Sequence, residues 1–294
     1  MTNDIWEMPK PATVLEAIEE WRSLDLSTAG PDQVIASMKA FRDKLQFWVV
    51  QRNSSSPPKL WRVRVRRNGQ SFDSIDDLWE PKAKTNPPRP GLGRCNQAGC
   101  PMLYCSKDLA TALEETHVKA GQELLLVKYA TTSQLQLNRI IGDFHPRQDG
   151  VARVFDDEGL NAYRIMSDFL RVEFTKPVAD GTESLYMISA AVCEVWATTD
   201  GADGWLYPSV RSPKEGNDNL ALFPEAAHAK LRVESAFWCV AENVEASALK
   251  IGGSPLVLPG IRLRHLKIAE LGAHGVEWRS VTPSDNTGLF AWRK

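Results

Sequence analysis

The sequence predicts an α+β protein: a helical extension at the amino end, followed by a strand-rich core. Three observations carry this prediction. Two stretches before residue 50 repeat apolar residues at the 3.6-residue period of a helix. The run "NSSSPP", Asn53 to Pro58, reads as a break, because serines and paired prolines end a helix and hold the chain extended. After it come mostly short runs of strand-forming residues separated by loops that carry glycine, proline and asparagine. The expected division is therefore 1–56 as the extension and 57–294 as the core domain.

The first helix is expected over residues 12–25, where Val14, Leu15, Ile18 and Trp21 are spaced for one face and Thr13 with Glu16 has the pattern of a capping box. The second begins at Pro31, which suits a first helical turn, and carries Val34, Ile35, Met38, Phe41, Leu45 and Trp48 along one stripe. The pair forms a helical hairpin, either a partner surface or a cover for the core. "LWRVRVRR" alternates Trp61, Val63 and Val65 with Arg62, Arg64 and Arg66, so a strand there puts three arginines on one face. The expectation is a solvated face on an edge strand, where charge discourages aggregation. A strand "PMLYC", a helix from near Ser106 and a strand "QELLLVKYA" follow. Further strands are expected at "LRVEF", "GWLYPSV", "NLALFP", "FWCVAENV", "SPLVLPG" and "IRLRHLKIAEL", while "SLYMISAAVCEVWA" suits either a strand or a helix.

With 294 residues the chain buries a substantial core without cross-links. Its net charge of -2 is ordinary and points away from nucleic acid as a partner. The amino terminus has no basic stretch leading into an apolar core, so a cytoplasmic location is expected. The most apolar run, Leu185 to Ala197, is interrupted by Glu194 and is shorter than the roughly 20 residues of a membrane-spanning helix. The five cysteines form an odd set and are expected to be reduced thiols. Cys95, Cys100 and Cys105 are evenly spaced, but not at zinc-ligand intervals, so no metal is expected. "RPGLGRCNQAG" lacks the lysine of a phosphate loop and the glycine fingerprint of a dinucleotide fold, which argues against both of those nucleotide-binding routes.

Chemistry-bearing residues concentrate in "GRCNQAGCPMLYCSKDLATALEE", which sets Arg94, Tyr104 and Glu115 along one loop, strand and helix. At 100° per residue Glu115 lies at the edge of the stripe Leu109, Ala112, Leu113, Thr116, while Glu114 points almost opposite. A half-buried glutamate of this kind serves either as an ion-pair partner or in a site. Ser209 follows Pro208, whose fixed backbone angle stiffens the turn. The five histidines show no ligand spacing.

"LWRVRV", "GRCNQAGCPMLYCSKDLATALEE" and "DGWLYPSVRSPKEGNDNLALFP", within residues 60–224, resemble the three signature blocks of the RES-domain family, named for its arginine, glutamate and serine. The second block keeps the Gly-Arg loop, the tyrosine-bearing strand and the Ala-Leu-x-Glu helix. Cys95 is a departure, standing where the family usually has tryptophan.

The resemblance implies a fold similar to ADP-ribosyltransferases and a reaction on NAD, taken as substrate rather than as a redox cofactor. The matching positions are Arg62 or Arg64, Arg94, Tyr104, Glu115 and Ser209, with Arg211 and Ser212 weaker. Implied activities are NAD hydrolysis, phosphorolysis with inorganic phosphate, or transfer of ADP-ribose to a protein. Implied settings are toxin-antitoxin and defence systems, with an antitoxin protein as a further partner and a homo-oligomer open. A RES-fold interaction module without turnover is the alternative of a different class.

These residue types suit that chemistry. Nicotinamide leaves NAD as a neutral molecule and needs no protonation, so one carboxylate suffices where ordinary glycosidases use two. Glu115 would stabilise the positive charge growing on the ribose. A guanidinium makes paired, charge-assisted bonds to a diphosphate, which suits the arginines, and the ring of Tyr104 suits a flat pyridine.

Overall fold

The computed structural model describes residues 9–25, 28–45, 51–67, 70–82, 90–140, 156–179, 181–196, 201–210, 217–244, 249–251, 254–256, 260–272, 275–282 and 289–292. They fall into two compact units interleaved along the chain: 1–55, 82–102 and 135–215 in the first, 56–81, 103–134 and 216–294 in the second. Both helices and a large share of strand are present, so the α+β class holds.

The first unit begins with helix α1 (Pro11–Arg22), which buries Val14, Ala17, Ile18 and Trp21. Its start differs from expectation. Pro11 takes the first helical position after Lys10, with no side-chain cap, so the Thr13–Glu16 box lies inside the helix and does not form. Leu15 stays 47% exposed and Ala17 takes its place on the buried face. Helix α2 (Pro31–Leu45) buries Val34 and Met38. Both helices pack on the unit's own later helices. Trp21 meets Phe169 of α4 (Asp157–Thr175) edge-on at 5.4 Å, and Arg42 Nη1 of α2 donates to the Val195 carbonyl near the end of α5 (Tyr186–Trp196) at 3.1 Å. Among the described residues the hairpin thus covers α4 and α5.

Helix α4 corrects the sequence reading, in which only "LRVEF" stood out and suggested a strand. Asp156 caps it by accepting from the Gly159 amide at 2.8 Å, and Ala162, Tyr163, Met166, Phe169, Leu170 and Phe174 form one buried face. That period is helical, but its first turn follows residues with no strong start signal other than Asp156. The ambiguous run at 184–197 is α5, buried along most of its length. The Ser/Pro segment is also not wholly a break. Gln51–Ser55 form strand β1, antiparallel to β5 (Leu135–Arg139), with Ser54 Oγ donating to Gln136 Oε1 at 2.8 Å; β5 in turn runs parallel to β6 (Gly204–Pro208).

The second unit is built on an antiparallel sheet ordered β7 (Asp218–Leu222), β3 (Leu103–Ser106), β2 (Leu60–Val65), β4 (Glu123–Thr131), β8 (Leu231–Val244), β11 (Gly260–Gly272) and β12 (Gly275–Ser280), with β13 (Leu289–Trp292) also on β11. A small β9–β10 hairpin (Leu249–Ile251, Ser254–Leu256) and the short helix α6 (Pro224–Lys230) complete its described elements. On one face Val63, Leu124, Leu126, Cys239, Ala241 and Leu263 pack with Ala112, Leu113 and Val118 of helix α3 (Leu109–Glu115) and its exit.

The opposite face corrects the reading of the arginines. Strand β2 is interior, flanked by β3 and β4, not an edge. Arg62 and Arg64 meet a segment that includes Phe72 and Asp77, so the expected solvated stripe is covered at these two positions, while Arg66 stays exposed. No helix of the described residues is long and apolar enough to cross a membrane.

Candidate functional site

In the second unit, strand β3 and helix α3 set the geometry of Tyr104 and Glu115. Trp61 is the register partner of Ser106, so Ser106 and Tyr104 share the sheet face of Trp61 and Val63, on which α3 packs. Tyr104 is half-buried and stands opposite Ala221 of β7, a small residue that leaves the phenol ring room. Helix α3 starts slightly later than expected, because Ser106 still belongs to the strand. Asp108 is its cap: one carboxylate oxygen accepts from the Thr111 amide at 2.9 Å, the other from the Thr111 hydroxyl at 2.5 Å. At the other end Thr116 donates its hydroxyl to the Ala112 carbonyl at 2.9 Å, and His117 turns into the left-handed region, φ 51°. Glu115 is the last helical residue and half-buried. Glu114 is half-buried as well, so in so short a helix the two carboxylates are not separated into inside and outside.

Arg62 and Arg64 lie on the reverse face of this sheet from Tyr104, and Asp77 brings them together. Both donate through Nη1 to the Asp77 carbonyl, at 3.2 and 2.9 Å, and Arg64 pairs with the Asp77 carboxylate at 3.1 Å. Arg62 is only 7% exposed and its charge acts on the Tyr129 hydroxyl, which donates to the Leu78 carbonyl. Burial pushes the Tyr129 phenol far up, with Arg62 opposing it, and burial with the neighbouring Arg62 charge pulls the Arg64 guanidinium down. The Cys105 thiol beneath them is raised by burial to about 12. Asp77 and Tyr129 carry no sequence signal of this role, since each meets the arginines only through strand pairing and a turn.

In the first unit Arg94 sits in a tight turn closed by the Gly93 amide to the Asn96 carbonyl at 3.0 Å, and Asn96 Nδ2 ties that turn to the carbonyls of Gly91 and Gln97 at 2.9 and 2.8 Å. Arg94 is 8% exposed. It donates Nη2 to the Lys176 carbonyl at 2.9 Å and Nη1 to the Glu173 carbonyl at 3.5 Å, and its guanidinium lies 5.1 Å from the centre of the Tyr186 ring. The guanidinium thus closes the carboxyl end of α4 while resting on an aromatic ring of α5. Beside it, the thiols of Cys95 and Cys193 are in hydrogen-bond contact, and burial raises Cys193 well above the usual thiol range. The family's tryptophan position is therefore filled here by a buried thiol that has its own partner.

Ser209, directly after β6, is fully buried. Arg211 and Ser212 lie outside the described residues. The candidate positions are divided between the units: Arg94 and Ser209 in the first, Arg62, Arg64, Tyr104 and Glu115 in the second. Among the described residues no group of three or more His, Cys, Asp or Glu side chains is placed to hold a metal ion.

The family model of the RES domain matches residues 59–242, more than half of the chain. Neither the curated proteins nor the solved structures hold a significant match to this sequence. The matched span contains all three motif blocks and extends past them through most of β8. The strand bearing Tyr104, the helix ending in Glu115 and the turn of Arg94 thus all lie in the matched region, and the chain belongs to the RES-domain family.

Proposed function

We propose that this protein consumes NAD by cleaving the bond between nicotinamide and ribose. The observation that carries the reading is that, within the RES-domain match, half-buried Tyr104 and the helix ending in half-buried Glu115 lie on the same side of a sheet. As the carbon–nitrogen bond breaks, its electron pair leaves with neutral nicotinamide and the ribose becomes an oxocarbenium ion. The Glu115 carboxylate offsets that charge and accepts from a ribose hydroxyl, while the Tyr104 ring lies against the pyridine. An acceptor then bonds to the ribose carbon and loses its proton. Water yields ADP-ribose, inorganic phosphate yields ADP-ribose 1″-phosphate, and a protein side chain yields a modified target.

The family resemblance assigns Arg94 to the diphosphate, whereas Arg62 and Arg64 stand behind the sheet from Tyr104. The carbonyls of Glu173 and Lys176 orient the fork of Arg94. Arg62 and Arg64 act on the frame through Asp77. Ser209, stiffened by Pro208, is assigned to the ribose or the nicotinamide amide.

The test is incubation of purified protein with NAD, with and without phosphate, and chromatographic separation of the products. Nicotinamide should appear with one ADP-ribosyl product, and Glu115→Gln should slow its release by about 100-fold or more, the usual effect of removing a preorganised charge stabiliser. Growth arrest with falling NAD on expression in bacteria, absent for Glu115→Gln, is the expected sign of a toxin. NAD left intact under every condition, including with candidate protein partners added, would instead make this a RES-fold interaction module.

A further inference from the structure

Three consecutive residues between Tyr104 and the body of α3 are each committed to a polar partner. Ser106 Oγ donates to Asn219 Oδ1 of β7 at 2.6 Å, with the two residues 4% and 3% exposed. Lys107 donates its amide to the Asp218 carbonyl at 3.3 Å and pairs through Nζ with the Asp218 carboxylate at 2.6 Å. Asp108 caps α3.

A buried hydroxyl and amide at neighbouring sheet positions lose their water, and a bond to each other returns only a small net gain, no better than a well-packed apolar pair. Their gain over such a pair is direction: a short hydrogen bond sets the strands' separation and rotation, whereas apolar contact allows sliding. Helix α3 has seven residues, too few to hold an orientation by its own propensity. Where it starts therefore determines where Glu115 ends.

We propose that Ser106 and Asn219 are positioning residues that hold the phenol of Tyr104 and the carboxylate of Glu115 in mutual register. The inference rests on the role given above to Glu115. Asn219 comes from a strand more than 100 residues downstream of Ser106 and joins the second motif block to the third by a contact outside the proposed chemistry.

The experiment measures kcat and KM for NAD and the thermal midpoint in Ser106→Ala, Asn219→Leu, the double variant and Ser106→Thr. Each single change should lower kcat about tenfold or more with KM within about threefold, as expected when a group acting in the transition state is displaced. The double variant, with both polar partners replaced, should regain most of the lost midpoint because no unpaired group stays buried. Its kcat should remain low, while Ser106→Thr, which keeps the hydroxyl, should recover most of the rate lost in Ser106→Ala. A double variant whose kcat returns together with its midpoint overturns the proposal and leaves the pair a packing contact. So does an unchanged kcat in Ser106→Ala. Wild-type protein that releases no nicotinamide removes the NAD-cleavage reading itself, which the same assay reveals before any variant is compared.

Discussion

Single residues in this protein owe their chemistry to burial more than to neighbouring charge. Cys105 is raised to about 12 by desolvation, Cys193 and Cys239 are raised by the same cause, and Cys95 is buried, whereas Cys100 is exposed. A thiol reagent at neutral pH should therefore modify Cys100 rapidly and the other four only on unfolding. A second fast thiol would show that a core position is open. His265 behaves similarly: it stacks on Phe237 with centroids 4.5 Å apart, its Nε2 is buried with no hydrogen-bond partner among the described residues, and burial lowers its pKa from the ordinary 6.5. The folded state thus favours the neutral ring, and on acidification the unfolded chain takes up the proton first. The stability His265 contributes is fully present above its ordinary pKa and is lost as pH falls through the folded value. The thermal midpoint should accordingly drop between neutral pH and pH of about 5, with a shallower drop in His265→Leu. Equal slopes in the two proteins would contradict this.

At the scale of elements, ends and docking faces determine what forms. Helix α3 is held by Asp108 at one end and by His117, in a left-handed conformation, at the other. Asp108→Ala should lower stability by about 1 kcal/mol, the usual loss of an N-cap. His117→Gly should raise it by about 0.5 kcal/mol, since relief of about 1–2 kcal/mol of left-handed strain exceeds the backbone entropy of about 0.5–1 kcal/mol that glycine brings. Chemical denaturation of both variants checks the signs. The amino-terminal hairpin depends instead on packing, with Trp21 buried against Phe169. Trp21→Ala should cost about 3–5 kcal/mol as the face on α4 opens, and a loss below about 1 kcal/mol would mean that α1 is only loosely docked. Propensity and period located α1, α2 and most strands of the second unit in the sequence, because those signals are local. They missed α4, whose apolar face is regular but whose last residues, "LRVEF", mimic a strand, and they placed a capping box where Pro11 already starts α1.

For the molecule as a whole, a net charge of -2 gives no long-range field suited to an anionic ligand, so the proposed recognition of NAD would rest on local donors. Raising salt from 50 to 200 mM should change KM for NAD by less than about threefold, against the 1,000-fold or greater loss typical of nucleic-acid binders over that range. A steep dependence would show that bulk charge draws the ligand in. The candidate site was legible in part for a related reason. Arg94, Tyr104 and Glu115 lie within one short stretch, so the residue types and their spacing, together with the blocks at 60–65 and 203–224, suffice to recognise the family. The amino-acid sequence by itself determined the two amino-terminal helices, the strand–helix unit that carries Tyr104 and Glu115, and membership of the RES-domain family. Only the tertiary structure decided that Arg62 and Arg64 are covered and held by Asp77, that Arg94 closes the end of α4 against Tyr186, and that Ser106 meets Asn219. The physical reason is that periodicity reports which face of an element is apolar, whereas the partner of a polar side chain is set by strand register and by segments tens of residues away.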